Sequence, residues 1–216
     1  MDTQQILSKI LMIPAILIAF TFHEYAHAIT ADRLGDKTPR FQGRLTLNPI
    51  AHLDLMGFIL ILLVGFGWAK PVETNPSAYK DYYKDDLLVS FAGPLANLIL
   101  GFIFAVLTVI FAKFSPSQGA LASLIYSILA ITGSINCMLF FLNLVPIPGF
   151  DGFHIVRDLF PKFVGELSDS IYRYQFLIFM VLILPILPGG GSVFTYLVQA
   201  PASWLFNSFT NIVGMF

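Results

Sequence analysis

The sequence is poor in two things that a soluble enzyme of its size ordinarily carries: cysteine available for pairing, and charge. Its one cysteine, Cys137, stands inside an apolar run, which excludes a disulfide framework and a cysteine-rich zinc site within this chain. Charged residues make up 12% of the 216 positions, about half the share usual in a globular domain. Neither sign is in excess. The net charge of -1 gives no electrostatic footprint for nucleic acid or for an acidic substrate, so no nucleic-acid partner is expected. No internal repeat is evident, and the inverted-repeat signature of many secondary transporters is missing with it.

Apolar sequence is abundant instead. It makes up 56% of the chain, with a mean hydropathy of +0.77, and is gathered into long blocks rather than amphipathic stripes. Five blocks approach the ~20 residues that a helix needs to cross a bilayer: residues 6–31, 87–112, 121–145, 172–187 and 192–214. The fourth is the weakest, because its apolar core runs from Phe176 to Leu187 and stops at Pro188-Gly189-Gly190-Gly191. It must begin near Ser168, tilt, or enter only part-way. A sixth run, Leu55 to Phe66, is too short to span and is bracketed by Gly57, Gly65 and Gly67. It reads as a re-entrant or sheet-like segment buried against protein. Before it, Phe41-Gln42-Gly43-Arg44-Leu45-Thr46-Leu47 alternates as a strand does, and Asn48-Pro49 stops it. The expected fold is an all-α polytopic membrane protein with about five transmembrane helices and a short membrane-associated strand or re-entrant segment. Residues 1–216 are expected to form a single integral-membrane domain whose partner is the lipid bilayer.

The first block also has the outline of a signal peptide: Lys9, the run Ile10 to Phe22, then Ala26-His27-Ala28. Its cleavage region would hold His23, Glu24 and His27, for which a signal peptide has no use. Ten of the twelve Lys and Arg residues lie between Asp32 and Asp86 or between Pro146 and Arg173, leaving Lys9 and Lys113. By the positive-inside rule those two stretches are cytoplasmic, the N-terminus outside and the C-terminus inside.

His23-Glu24-Tyr25-Ala26-His27 has the pattern H-E-x-x-H near the cytoplasmic end of the first block. Histidines at i and i+4 share one helical face and can reach one ion, with the glutamate beside the first placed to act on water. Ionisable side chains inside an apolar helix are costly, and by default they mark function. A hydrolytic zinc takes three protein ligands and keeps one position open. The third ligand must come from another segment, and His52, Asp54, Asp151, His154 and Asp158 are candidates. Asp151 is favoured because Asn143 to Gly152 ends a transmembrane block with two prolines and two glycines, an unwound stretch that can turn a carboxylate back into the bundle.

The H-E-x-x-H helix, the run Asn143-Leu144-Val145-Pro146-Ile147-Pro148-Gly149-Phe150-Asp151-Gly152 and the motif Gly93-Pro94-Leu95-Ala96-Asn97 together resemble the site-two protease family of intramembrane zinc metalloproteases. Gly43 to Pro49 with His52, and Gly67-Trp68-Ala69-Lys70-Pro71-Val72, are similar to its compact bacterial and archaeal branch, which lacks a PDZ domain. Phe150 departs from the leucine commonest before Asp-Gly, a change of packing. The resemblance implies that His23, His27 and Asp151 hold one zinc ion per chain and that Glu24 is the catalytic base. It further implies hydrolysis of peptide bonds in single-pass transmembrane substrates, in a prokaryotic cell membrane; the charge distribution puts the site near the cytoplasmic side. Asn97, Asn143 and His52 are expected as substrate-binding or oxyanion groups, or else the two asparagines as polar links between helices and His52 as a group that orients a ligand or a loop. Trp68 and Lys70 read first as interfacial anchors. A metal-binding membrane transporter using the same ligands gains nothing from Glu24, and a non-catalytic helix-binding scaffold needs neither ligands nor base.

Overall fold

The computed structural model describes residues 3–65, 67–115, 119–187 and 189–215, with side chains from residue 8 onward. Phe66, where the sequence ends the short apolar run, and Pro188, where it stops the fourth block, lie outside the described residues. The elements in chain order are α1 (Thr3–Leu34), α2 (Thr38–Phe41), α3 (Leu55–Val64), α4 (Tyr82–Phe114), α5 (Ala120–Asn143), α6 (Asp151–Leu159), α7 (Pro161–Ile183) and α8 (Ala200–Gly214). A π-helical turn, Thr195–Gln199, leads into α8.

Three described helices are long and apolar enough to cross a membrane: Ser8–Leu34, Tyr82–Phe114 and Ala120–Asn143. They match the first three long blocks and form the frame of the molecule, with α4 packed on both α1 and α5. Small residues let them approach closely. Ala105 and Cys137 are fully buried beneath Ala202 and Phe206 of α8. The fourth block belongs to α7, which starts at Pro161, earlier than its apolar core, and carries the charged residues Lys162, Glu166, Asp169 and Arg173. The fifth is broken into the π turn and α8. Pro201, which has no N–H to give the preceding turn, stands at that junction, where a wider turn is a common accommodation.

The stretch Phe41 to Leu47 is not a strand, which corrects the expectation from its alternation. No strand occurs among the described residues, and the nearest sheet-like contact is an isolated bridge between Leu53 and Ala69. Pro39, in the first turn of α2, favours a helical start, and Gly43 at φ +68° turns the chain away immediately after it. The apolar side chains Phe41 and Leu47 are exposed, so the period-two pattern here serves no core. The sixth run is the helix α3. It is capped by Asp54, whose side chain accepts from the Gly57 N–H, and stopped by Gly65 at φ +82°. At ten residues it spans about 15 Å, half a hydrocarbon core.

The loop after α1 is tied to the end of that helix. Asp32 pairs with Arg40 at 2.8 Å and Lys37 at 3.3 Å, and Asp36 accepts from the backbone N–H groups of Thr38 and Asn75. The Asn75 bond brings the chain ahead of α4 back beside the end of α1.

Candidate metal centre

His23 and His27 lie on one face of α1, as their spacing requires, with Glu24 beside them; all three are buried. Asp151 is the first residue of α6, where the helix N-terminus favours a carboxylate. Gly152 lets α6 start against the end of α5, since a Cβ there would stand 2.4 Å from the Leu144 carbonyl oxygen. Further along α6, Arg157 bonds Asp86 of α4 and Asp158 of its own helix, which fixes α6 against α4.

The result is a convergence of four atoms. Nε2 of His23 is 3.3 Å from Oδ2 of Asp151, Nε2 of His27 is 3.3 Å from Oδ1, and the two Nε2 atoms are 3.1 Å apart. Ligand atoms of the three residues lie within 4.8 Å of one another. A tetrahedral zinc with bonds of about 2.0–2.1 Å holds neighbouring ligand atoms about 3.3–3.4 Å apart.

Proton placement gives a second test of fit. The Nδ1 of His27 is 2.7 Å from the Val89 carbonyl, and the Nδ1 of His23 is 2.7 Å from Oδ1 of Asn97, so each must donate a hydrogen there. In neutral imidazoles both Nε2 atoms then present lone pairs, to each other and to a carboxylate. Oδ2 of Asp151 is buried with no hydrogen-bond donor of its own. Lone pairs of two nitrogens and a carboxylate facing one point suit a cation with zinc's ligand preferences.

Gly93 makes the arrangement possible. A Cβ at this position of α4 would lie 2.3 Å from Nε2 of His27 and 2.6 Å from Cε1 of His23. The glycine of the Gly-Pro-Leu-Ala-Asn motif therefore leaves the space in which the imidazoles sit.

A cavity of about 500 Å³ reaches these residues, lined by Glu24, Asp151, Asn143, His154, Trp68 and Val72 among others. Glu24 is not free in it. Its Oε2 accepts from the Val72 N–H at 2.7 Å and lies 3.7 Å from the buried guanidinium of Arg44, which also bonds the Lys70 carbonyl. His154 borders the cavity, and burial, with the Arg157 guanidinium nearby, pushes its pKa down.

The other expected residues divide. Asn143 lines the cavity, its Nδ2 donating back to the Leu139 carbonyl at 3.0 Å. Asn97 faces His23 rather than the cavity and is fully buried. His52 is also fully buried and lies outside the cavity lining. Its Nε2 donates to the Thr46 carbonyl at 2.7 Å, and its own carbonyl accepts from Lys70 N–H, so it supports the loop. Sequence reasoning missed Arg44, Val72 and Val89. Two of the three act through main-chain groups, which side-chain patterns do not reveal. It missed Asn136 too, although an amide inside an apolar block was a usable signal.

Residues 11–118 and 109–187 match peptidase family M50. The chain is 39% identical over 202 residues to the protein of Bacillus subtilis (strain 168) named "Putative zinc metalloprotease YwhC", covering 93% of this chain and 91% of that one. Two proteins named in the same words are also similar. Rip2 of Mycolicibacterium smegmatis is 32% identical over 184 residues, 81% of this chain and 67% of its own. MJ0611 of Methanocaldococcus jannaschii is 31% identical over 157 residues, 70% of this chain and 72% of its own. No solved structure matches the chain.

Proposed function

The chain belongs to peptidase family M50 and is a membrane-integral zinc metalloprotease of the site-two type, and from that premise we propose that it cleaves transmembrane substrates at the centre formed by His23, His27 and Asp151, with Glu24 as general base. One zinc ion per chain would be held by the Nε2 atoms of the two histidines and by Asp151. The observation that carries this reading is the convergence of those atoms at 3.1–3.3 Å with both Nδ1 hydrogens committed elsewhere.

Zinc, when bound, polarises a carbonyl and makes water more acidic. The chain supplies the rest. Glu24, beside His23 and on the same cavity, takes the proton of the attacking water and returns it to the leaving amine. A carboxylate has two oxygens, so Glu24 can take the proton at Oε1 while its Oε2 stays bonded to the Val72 N–H. An extended substrate offers backbone N–H and C=O groups that can replace such loop contacts, whereas a helical one must first unwind locally. The substrates are single-pass transmembrane proteins. Water and substrate reach the site from the cytoplasmic side of a prokaryotic cell membrane, with the N-terminus of the chain outside and its C-terminus inside, as the lysine and arginine distribution argues.

Glu24→Gln tests the reading. The amide keeps the shape and cannot take the proton, so zinc content should be unchanged while cleavage of a transmembrane peptide falls by about 10²- to 10⁴-fold. Activity within about 10-fold of the parent removes Glu24 as the base.

A further inference from the structure

We propose that Asn136, which does not touch the centre, is a positioning residue that sets its zinc affinity by fixing the ring of His23 through Asn97. The inference rests on the zinc reading of His23, His27 and Asp151 and adds to it a chain of three hydrogen bonds across three helices.

Asn136 sits in the middle of α5, fully buried among apolar neighbours. Its Nδ2 donates to the Thr132 carbonyl one turn back at 2.8 Å. That carbonyl can only accept, so the oxygen of the amide is turned the other way, toward α4. There Oδ1 of Asn136 accepts from Nδ2 of Asn97 at 2.9 Å. The same Nδ2 also donates to the Ala19 carbonyl of α1 at 3.3 Å. Asn97 has then committed its donors, and only its oxygen is left to face Nδ1 of His23 at 2.7 Å. The ring must hold its hydrogen at that nitrogen and keep a lone pair on Nε2, the atom that meets Asp151.

Polarity in this chain has one allowed direction. Both backbone carbonyls, of Thr132 and Ala19, are acceptors, so flipping either amide sets oxygen against oxygen. With Asn136 removed, Asn97 loses one of the two acceptors that orient it, and can turn an N–H toward His23. A ring nitrogen so faced becomes an acceptor, the hydrogen moves to Nε2, and the ligand is lost for that fraction of molecules. Groups that orient a ligand from behind typically change metal affinity by about 10- to 100-fold when removed.

The test measures zinc dissociation constants of the full-length protein in detergent, by competition with a chelator, so that no activity is needed. The set is the parent, His23→Ala, Asn97→Ala, Asn136→Leu, Asn97→Ala with Asn136→Leu, and Thr108→Val. The last removes a buried hydroxyl of α4 that donates to the Phe104 carbonyl of its own helix, and it gauges the effect of loosening the bundle. Asn136→Leu should weaken zinc about 10- to 100-fold, the double variant should bind like Asn97→Ala within about 3-fold, and Thr108→Val should bind like the parent. Asn136→Ser, too short to bridge both partners, replaces Asn136→Leu should the leucine variant fail to fold. If His23→Ala binds as the parent does, the zinc reading fails and the inference with it. If His23→Ala loses zinc while Asn136→Leu keeps the parent's affinity, the inference alone is wrong. A double variant weaker than Asn97→Ala by the full Asn136→Leu factor also overturns it, since Asn136 would then act through packing.

Discussion

Replacing Gly93 by alanine adds one methyl group at the point where α4 passes the two imidazoles. The new Cβ would stand 2.3 Å from Nε2 of His27 and 2.6 Å from Cε1 of His23, about 1 Å inside ordinary contact. Flexible side chains relieve such clashes cheaply, but these rings cannot withdraw. Each is pinned behind at 2.7 Å, His23 by Asn97 and His27 by the Val89 carbonyl. A ring displaced by ~1 Å gives up that bond or leaves the ~0.2 Å tolerance of a metal ligand. Overpacking of this kind costs about 1–3 kcal/mol, and here the displacement falls on the ligand atoms. At 1.4 kcal/mol per factor of ten, zinc affinity should fall about 10- to 100-fold. Gly101→Ala is the matched control, because its Cβ would crowd Cys137 Sγ at 2.7 Å, away from the ligands. It should lower the thermal midpoint and leave zinc binding intact. Chelator competition on both variants decides the matter. A Gly93→Ala protein that binds zinc within ~3-fold of the parent refutes the claim that this glycine makes room for the ligands.

Four further outcomes follow from the same geometry. A chelator should lower the unfolding midpoint of the parent by several degrees and have no effect on His23→Ala, since zinc at 100 times its Kd is worth about 2.7 kcal/mol; equal shifts in both would count against the centre. Arg157→Met leaves the buried carboxylates of Asp86 and Asp158 without their cation, and should destabilise by about 3–5 kcal/mol and loosen Asp151; a denaturant midpoint unchanged from the parent contradicts it. Burial, aided by Arg44 and opposed by the Thr46 carbonyl and Glu24, holds His52 below the ordinary imidazole value of 6.5. The unfolded chain therefore binds that proton first, stability falls as pH drops through and below ~6.5, and His52→Gln should flatten this slope in pH-dependent melting. A substrate helix carrying a photocrosslinker should label Trp68 and Pro71, which line the cavity beside Glu24; labels confined to residues 172–214 would move substrate access to the last helices.

How much was legible in the sequence depended on the range of the interaction. The H-E-x-x-H spacing placed two imidazoles on one face because helix geometry is local, and apolar block length located α1, α4 and α5 because the bilayer fixes what a span needs. Asp151 could be favoured from the prolines and glycines around it. Alternation misled at Phe41 to Leu47, because Pro39 and Gly43 impose a turn and the loop packs through Asp32, Asp36 and Arg44 rather than through an apolar face. What only the tertiary structure decided is the meeting of distant groups: Gly93 against the imidazoles, Asn136 behind Asn97, and the Val72 N–H on Glu24. Each depends on how separate helices and a loop pack, and on hydrogen-bond directions set by main-chain carbonyls. No local pattern carries that information.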